Sequence, residues 1–104
     1  ILPLFSGYGS AAIASRLADA GAKALFTADG LFRRGQVVPL KAVADQAISD
    51  VPSLKHLIVL KRCRNGVSMQ PGRHYWWHEL IPQQPSDASL EPTRAEDVLM
   101  IIYT

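Results

Sequence analysis

The chain has 104 residues, of which 48% are hydrophobic and 19% charged, a composition that favours a folded domain and excludes a disordered segment. Its net charge of +2 is too small to predict nucleic acid or a membrane surface as a partner. Cys63 is the only cysteine, which excludes a disulfide within the chain, and no apolar run approaches the ~20 residues that span a bilayer.

The first part of the chain alternates apolar runs with amphipathic stretches. Residues 2–6 predict a strand, which Pro3 restricts to an edge because it lacks a backbone N–H. Residues 11–20 carry apolar side chains at helical spacing and predict a helix, and Gly21 suits the position just beyond its end. Residues 23–28 then predict a buried strand.

The second part repeats this alternation. Residues 40–49 have the clearest helical spacing. Residues 57–61 predict a strand, whose unbroken apolar run from Leu57 to Leu60 is typical of burial on both faces. An irregular arm around Trp76 and Trp77 leads to a last predicted strand at residues 98–103. We therefore predict an α/β fold with a mostly parallel sheet of about four strands flanked by helices.

A glycine-rich turn near the start offers one hypothesis for function. Gly7, Gly9 and Ala12 match the pattern G-x-G-x-x-A between a predicted strand and a predicted helix. Asp29 follows a further ~20 residues on, the spacing of a Rossmann-type dinucleotide-binding domain, where it would bind a ribose hydroxyl. The simpler interpretation is that the glycines only shape a strand-to-helix turn.

Other residues with reactive side chains carry weaker signals. His74 and His78 have the i, i+4 spacing of two metal ligands on a helix, but no third ligand completes a motif, so we predict no metal site. The basic run at residues 61–64 is interpreted as a solvated strand end. Cys63 lacks a neighbouring base in the sequence, and no catalytic residue is predicted.

Six stretches, which follow one another over residues 5–104, carry a resemblance to a known family. They are Phe5-Ser6-Gly7-Tyr8-Gly9; residues 16–23; Thr27-Ala28-Asp29-Gly30 with Arg33-Arg34-Gly35 and Pro39-Leu40-Lys41; residues 56–62; residues 72–80 with the paired tryptophans; and Ala95-Glu96-Asp97 with Ile101-Ile102-Tyr103-Thr104. Together they resemble the acetyl-CoA synthetase branch of the adenylate-forming enzymes. Chance does not readily produce six such matches in register.

The resemblance implies a ligase that uses ATP, Mg²⁺ and CoA to convert a short carboxylic acid into its acyl-CoA. Residues 1–104 would be a fragment of the large N-terminal AMP-binding domain, ending just before the ATP phosphate-binding loop. The fragment alone is expected to be inactive, and its partners would be the carboxylate, CoA and the rest of the same polypeptide. A cytoplasmic location is expected.

The resemblance also implies one binding site within the chain. In the family, the loop before Pro-Leu-Lys carries arginines that contact the 3′-phosphate region of CoA. The matching residues here are Arg33, Arg34, Gly35 and Gln36. Gln36 stands where the family often has a second basic residue, and Arg34 is an additional positive charge. Guanidinium groups bind phosphate through paired hydrogen bonds, which suits this role.

Overall fold

The helices and strands lie between Ser10 and Gln83 in the computed structural model, which describes residues 1–104. The helices are α1 (Ser10–Asp19), α2 (Leu40–Ile48) and the short α3 (Trp77–Leu80), which continues into a 3-10 helix (Ile81–Gln83). The strands are β1 (Ala24–Ala28), β2 (Leu31–Arg33), β3 (Gln36–Val38), β4 (His56–Leu60) and β5 (His74–Trp76). The predicted helices at 11–20 and 40–49 and strands at 23–28 and 57–61 are confirmed with small shifts of their ends.

The main sheet has three parallel strands in the order β1-β4-β5. Phe26 of β1 lies opposite Ile58 of β4, which in turn lies opposite Tyr75 of β5. Strands β2 and β3 form a separate antiparallel hairpin between β1 and α2. The α/β class and the parallel sheet are therefore confirmed, with three strands in the sheet where about four were predicted.

One face of this sheet carries the hydrophobic core. Helices α1 and α2 pack against each other, and α2 also contacts β1. Strand β4 alternates along its length, so that Leu57 and Val59 are fully buried while Ile58 and Leu60 point to the opposite face. The buried apolar residues are Ala14, Leu17, Ala44, Ala47, Ile48, Val51, Leu54, Leu57 and Val59.

The opposite face of the sheet is open over much of its area. Phe26 is 62% exposed and Leu60 is 47% exposed, although both lie in strands of the main sheet. Trp77 covers part of this face, with its ring 6.0 Å from the Phe26 ring in an edge-on arrangement. The two long helices thus cover one side of the sheet, and only Trp77 of α3 covers part of the other.

The strands predicted at residues 2–6 and 98–103 are wrong for this structure, because neither segment joins a sheet. The only hydrogen bonds between the two ends of the chain involve Ile1, whose amino group donates to the Leu99 carbonyl (2.9 Å) and whose carbonyl accepts the Ile101 N–H (3.0 Å). Pro3 lacks the N–H that would extend such a ladder. The apolar side chains of residues 98–102 consequently stay at the surface.

The tryptophan-containing segment is more ordered than the irregular arm that was predicted. Residues 74–76 form β5, and α3 begins at Trp77. Trp76 packs against the core and fixes the segment to the edge of the sheet. None of the helices is both long and apolar enough to cross a bilayer.

Candidate functional site

The hairpin formed by β2 and β3 presents its tip to solvent. Arg34 (φ 50°) and Gly35 (φ 75°) are the two central residues of its turn. Two successive positive φ angles in a two-residue connection are typical of a type I′ turn, whose twist matches that of the paired strands. Arg33 and Gln36 form the closing pair, and all four residues are exposed. The structure therefore brings the four predicted CoA-contacting residues together at one tip.

Arg33 ties this tip to the N-terminal segment. Its Nη2 donates to the Ser6 Oγ at 2.9 Å, and its guanidinium carbon lies 5.8 Å from the centre of the Phe5 ring. Arg34, in contrast, makes no hydrogen bond or ion pair within the chain. One guanidinium is thus held in place while the other is free to meet a ligand.

Asp29 lies at the carboxyl end of β1, is fully buried, and organises the loop that follows β4. Its Oδ1 accepts the backbone N–H groups of Gly30 (2.7 Å), Arg62 (2.9 Å) and Cys63 (2.9 Å). Its Oδ2 accepts the backbone N–H of Arg64 (2.7 Å). Burial raises the pKa of this carboxyl, but the four N–H donors together outweigh burial and hold the pKa below its usual value of 3.8.

This arrangement removes the structural basis of the dinucleotide-binding hypothesis. Asp29 is enclosed and both of its carboxylate oxygens already accept backbone N–H groups, so it cannot reach a ribose hydroxyl. The strand that should precede Gly7 is not formed either. Gly9 simply precedes α1, and the methyl group of an alanine at Gly7 would collide with the Phe5 ring. Gly7, Gly9 and Ala12 therefore belong to a turn and the start of a helix.

The basic loop after β4, residues 61–64, is fixed between the hairpin and β5. The guanidinium of Arg62 lies 5.8 Å from the Phe32 ring of the hairpin. The ammonium group of Lys61 lies 5.5 Å from the Trp76 ring. Arg64 adopts a left-handed backbone conformation with φ 59°. The run follows β4 and is mostly exposed, as expected of a solvated strand end. The structure adds that Asp29 orders its backbone, which no local sequence pattern indicates.

Lys41 was not singled out from the sequence, yet it is fully buried in α2. Its Nζ contacts both oxygens of Asp45, one helical turn on, at 2.7 and 2.9 Å, and the Ser68 carbonyl at 2.6 Å. Burial of a charged ammonium is tolerated only when it is paired in this way. The i, i+4 spacing of the pair was the available signal in the sequence.

The two histidines considered as metal ligands have separate environments. His74 Nδ1 accepts the backbone N–H of Gln70 at 3.1 Å, whereas His78 Nε2 lies 3.8 Å from the Glu79 carboxylate. No group of three or more histidine, cysteine or carboxylate side chains in the chain is arranged to hold a metal ion.

No family model matches the chain, but its sequence is similar to those of several known proteins. The acetyl-coenzyme A synthetase of Rhodopirellula baltica is 42% identical over 101 residues, which cover 97% of this chain and 15% of the relative. That of Gemmatimonas aurantiaca is 44% identical and covers 97% of this chain and 16% of the relative. A relative from Nostoc linckia is 42% identical over 97% of this chain and 30% of its own length.

Sequence identity of 42–44% over nearly the whole chain assigns the chain to the class of acyl-CoA synthetases. Within that class, the chain belongs to the acetyl-coenzyme A synthetase family, which confirms the resemblance seen in the sequence. The chain spans about 15% of the length of most of the relatives described, so it corresponds to a segment of those enzymes. Nothing in the comparisons supports a dinucleotide-binding domain.

Proposed function

We propose that this chain is part of an ATP-dependent acyl-CoA synthetase that acts on a short carboxylic acid, with acetate as the first candidate. The observation that carries this proposal is the 40–44% identity to acetyl-coenzyme A synthetases along 97% of the chain. In the reaction, the carboxylate attacks the α-phosphate of ATP, which releases pyrophosphate and forms an acyl-adenylate. The thiol of CoA then attacks the acyl carbon and displaces AMP. Mg²⁺ would neutralise the leaving phosphates.

Residues 1–104 are proposed to lie in the large N-terminal AMP-binding domain, immediately before its ATP phosphate-binding loop. No catalytic residue is assigned to this segment. Its contribution is instead a surface for CoA, and the rest of the same polypeptide supplies the adenylate site. We further propose that the enzyme works in the cytoplasm, where Cys63 would remain a free thiol.

The hairpin tip is the proposed contact for the 3′-phosphate of CoA. Arg33 is oriented by its hydrogen bond to Ser6, and Arg34 projects from a turn that is fixed by two positive φ angles. A left-handed conformation costs a residue with a side chain about 1–2 kcal/mol, so an arginine is an unfavourable choice at this turn unless its charge is used. Arg34 would then supply the positive charge that Gln36 lacks.

The test uses the full-length protein that contains this segment and compares CoA with dephospho-CoA, which lacks the 3′-phosphate. Arg34→Gly keeps the turn, since glycine adopts positive φ freely, and removes only the guanidinium. We expect the KM for CoA to rise about tenfold, the loss of one charge-assisted hydrogen-bonded pair. The KM for dephospho-CoA should be the same in wild type and variant, and so should acetate-dependent pyrophosphate release. An equal KM for CoA in both proteins would contradict the site.

A second assay tests the assignment of the whole reaction. The full-length protein should form acetyl-CoA from acetate, ATP and CoA, while the 104-residue chain alone should form neither acetyl-CoA nor pyrophosphate. Turnover by the isolated chain would show that the catalytic machinery lies within residues 1–104 and would overturn the proposed division of labour.

A further inference from the structure

A shallow depression lies at the carboxyl end of β4, on the side of the basic loop that faces α3. Four residues line it, namely Leu60, Lys61, Arg64 and His78, around a volume of roughly 450 Å³. Three of these side chains offer N–H donors and none is a carboxylate. Ligands of open parallel sheets bind beyond the carboxyl ends of the strands, and the depression occupies this position.

The backbone of Arg64 is held in a left-handed conformation by the loop around it. Its φ of 59° is unfavourable for a residue with a side chain, and its N–H donates to the buried Asp29 carboxylate at 2.7 Å. Asn65 reinforces the same loop by donating from Nδ2 to the Asp29 carbonyl at 3.2 Å. A strained residue that its surroundings hold so firmly points to a functional constraint on its side chain.

The charges around the depression are not neutralised within the chain. Asp29 is buried beneath the loop and engages only backbone N–H groups, so it does not pair with the Arg64 guanidinium. Glu79 is the carboxylate nearest to His78, at a distance of 3.8 Å, and it is exposed. Lys61 contacts the Trp76 ring and makes no ion pair. The positive side chains of Lys61 and Arg64 therefore face the depression without a carboxylate partner.

We propose that this depression binds a phosphate group, as a site separate from the hairpin tip and independent of the CoA contact proposed there. Arg64 binds two phosphate oxygens through its paired N–H groups, and Lys61 adds a point charge. His78 donates a further N–H. The ligand is an inorganic phosphate or the phosphate monoester of a nucleotide, since both carry the same three oxygens.

The experiment titrates the 104-residue chain with inorganic phosphate at constant ionic strength and follows amide chemical shifts together with tryptophan fluorescence. Trp76 serves as the reporter because it lies beside both Lys61 and the His78 ring. We expect saturable shifts of residues 60–64 and 76–79, distinct from any shifts at the hairpin tip. A parallel titration with AMP distinguishes the two sources, because tighter binding of AMP than of phosphate identifies a nucleotide.

Two glycine variants make the test specific. Arg64→Gly and Arg34→Gly each replace an exposed arginine at positive φ, so both should fold at least as stably as the wild type. Arg64→Gly should weaken phosphate binding at least about tenfold, whereas Arg34→Gly should leave it unchanged. A flat titration of the wild type, or equal binding by wild type and Arg64→Gly, would overturn the proposal. Neither result bears on the proposed CoA contact, which is tested separately with Arg34→Gly.

Discussion

At the scale of single residues, Asp29 shows how one side chain can suit two roles in a sequence. Its distance from Gly7 and Gly9 matched a ribose-binding carboxylate, and only its burial and its four backbone N–H partners decide against that role. Because its carboxylate accepts N–H groups from residues 62–64, Asp29 links the end of β1 to the loop that follows β4. Asp29 is therefore a structural residue that positions Arg64.

Asp29→Asn tests this role. The amide keeps one acceptor but turns N–H donors toward backbone N–H groups, so we expect the free energy of unfolding to fall by about 3 kcal/mol. Urea denaturation followed by circular dichroism would measure the change. Asp50→Asn is the matched control, because Asp50 is exposed and its carboxylate makes no hydrogen bond, and its substitution should leave the midpoint in place.

His74 should make stability depend on pH. Burial lowers the pKa of its imidazole below 6.5, the positive charges of Lys41 and Arg73 lower it further, and Asp45 opposes them. The folded state therefore binds a proton less readily than the unfolded state. Stability should be complete above the unfolded pKa and should decline as pH falls below about 6.5 toward the folded pKa.

Unfolding free energies measured from pH 8 to pH 5 would check this expectation. His74→Gln should flatten the profile over that range, because it removes the group that must be protonated. His56→Gln provides the control for the loss of an exposed imidazole. Identical profiles for wild type and His74→Gln would contradict the assignment.

At the scale of elements, the hairpin is the part that the sequence predicted least well. Its strands have only three residues each, too few for a period of two to stand out, and its turn is Arg34-Gly35. Asparagine or aspartate before the glycine would have been a stronger signal for a type I′ turn. The resemblance identified these residues only as a loop that carries two arginines, and pairing between the strands was visible only in the structure.

Gly35→Ala tests the turn directly. A methyl group at this position meets no atom within 4 Å, so the only cost is the positive φ of 75°. We expect the free energy of unfolding to fall by about 1 kcal/mol. Gly66→Ala is the matched control, because it also adds a methyl group in open space but without a positive φ, and it should not destabilise the chain.

At the scale of the whole molecule, the uneven covering of the sheet predicts that neighbouring residues of β4 respond differently to truncation. Leu57 is fully buried against the helices, whereas Ile58 is half-buried on the open face. Leu57→Ala should cost about 3 kcal/mol of unfolding free energy. Ile58→Ala should cost about 1 kcal/mol, because the methyl groups it removes are partly in contact with water already.

Chemical denaturation of the two variants would measure both costs, and equal costs would mean that the open face is covered in solution.

The open face of the sheet also explains why the burial predicted for β4 was wrong. The unbroken apolar run from Leu57 to Leu60 predicted a strand buried on both faces, but helices α1 and α2 cover only one side within residues 1–104.

The sequence by itself determined the elements whose pattern is local, namely α1, α2, β1 and β4, together with the family. Periodic apolar side chains specify a helix or strand without reference to distant residues. The tertiary structure alone decided which segments pair, and so it excluded the strands at 2–6 and 98–103 and added β5. It also decided that Asp29 serves the backbone and that Lys41 is buried with Asp45. Pairing and burial depend on residues far apart in the chain, and no local pattern records them.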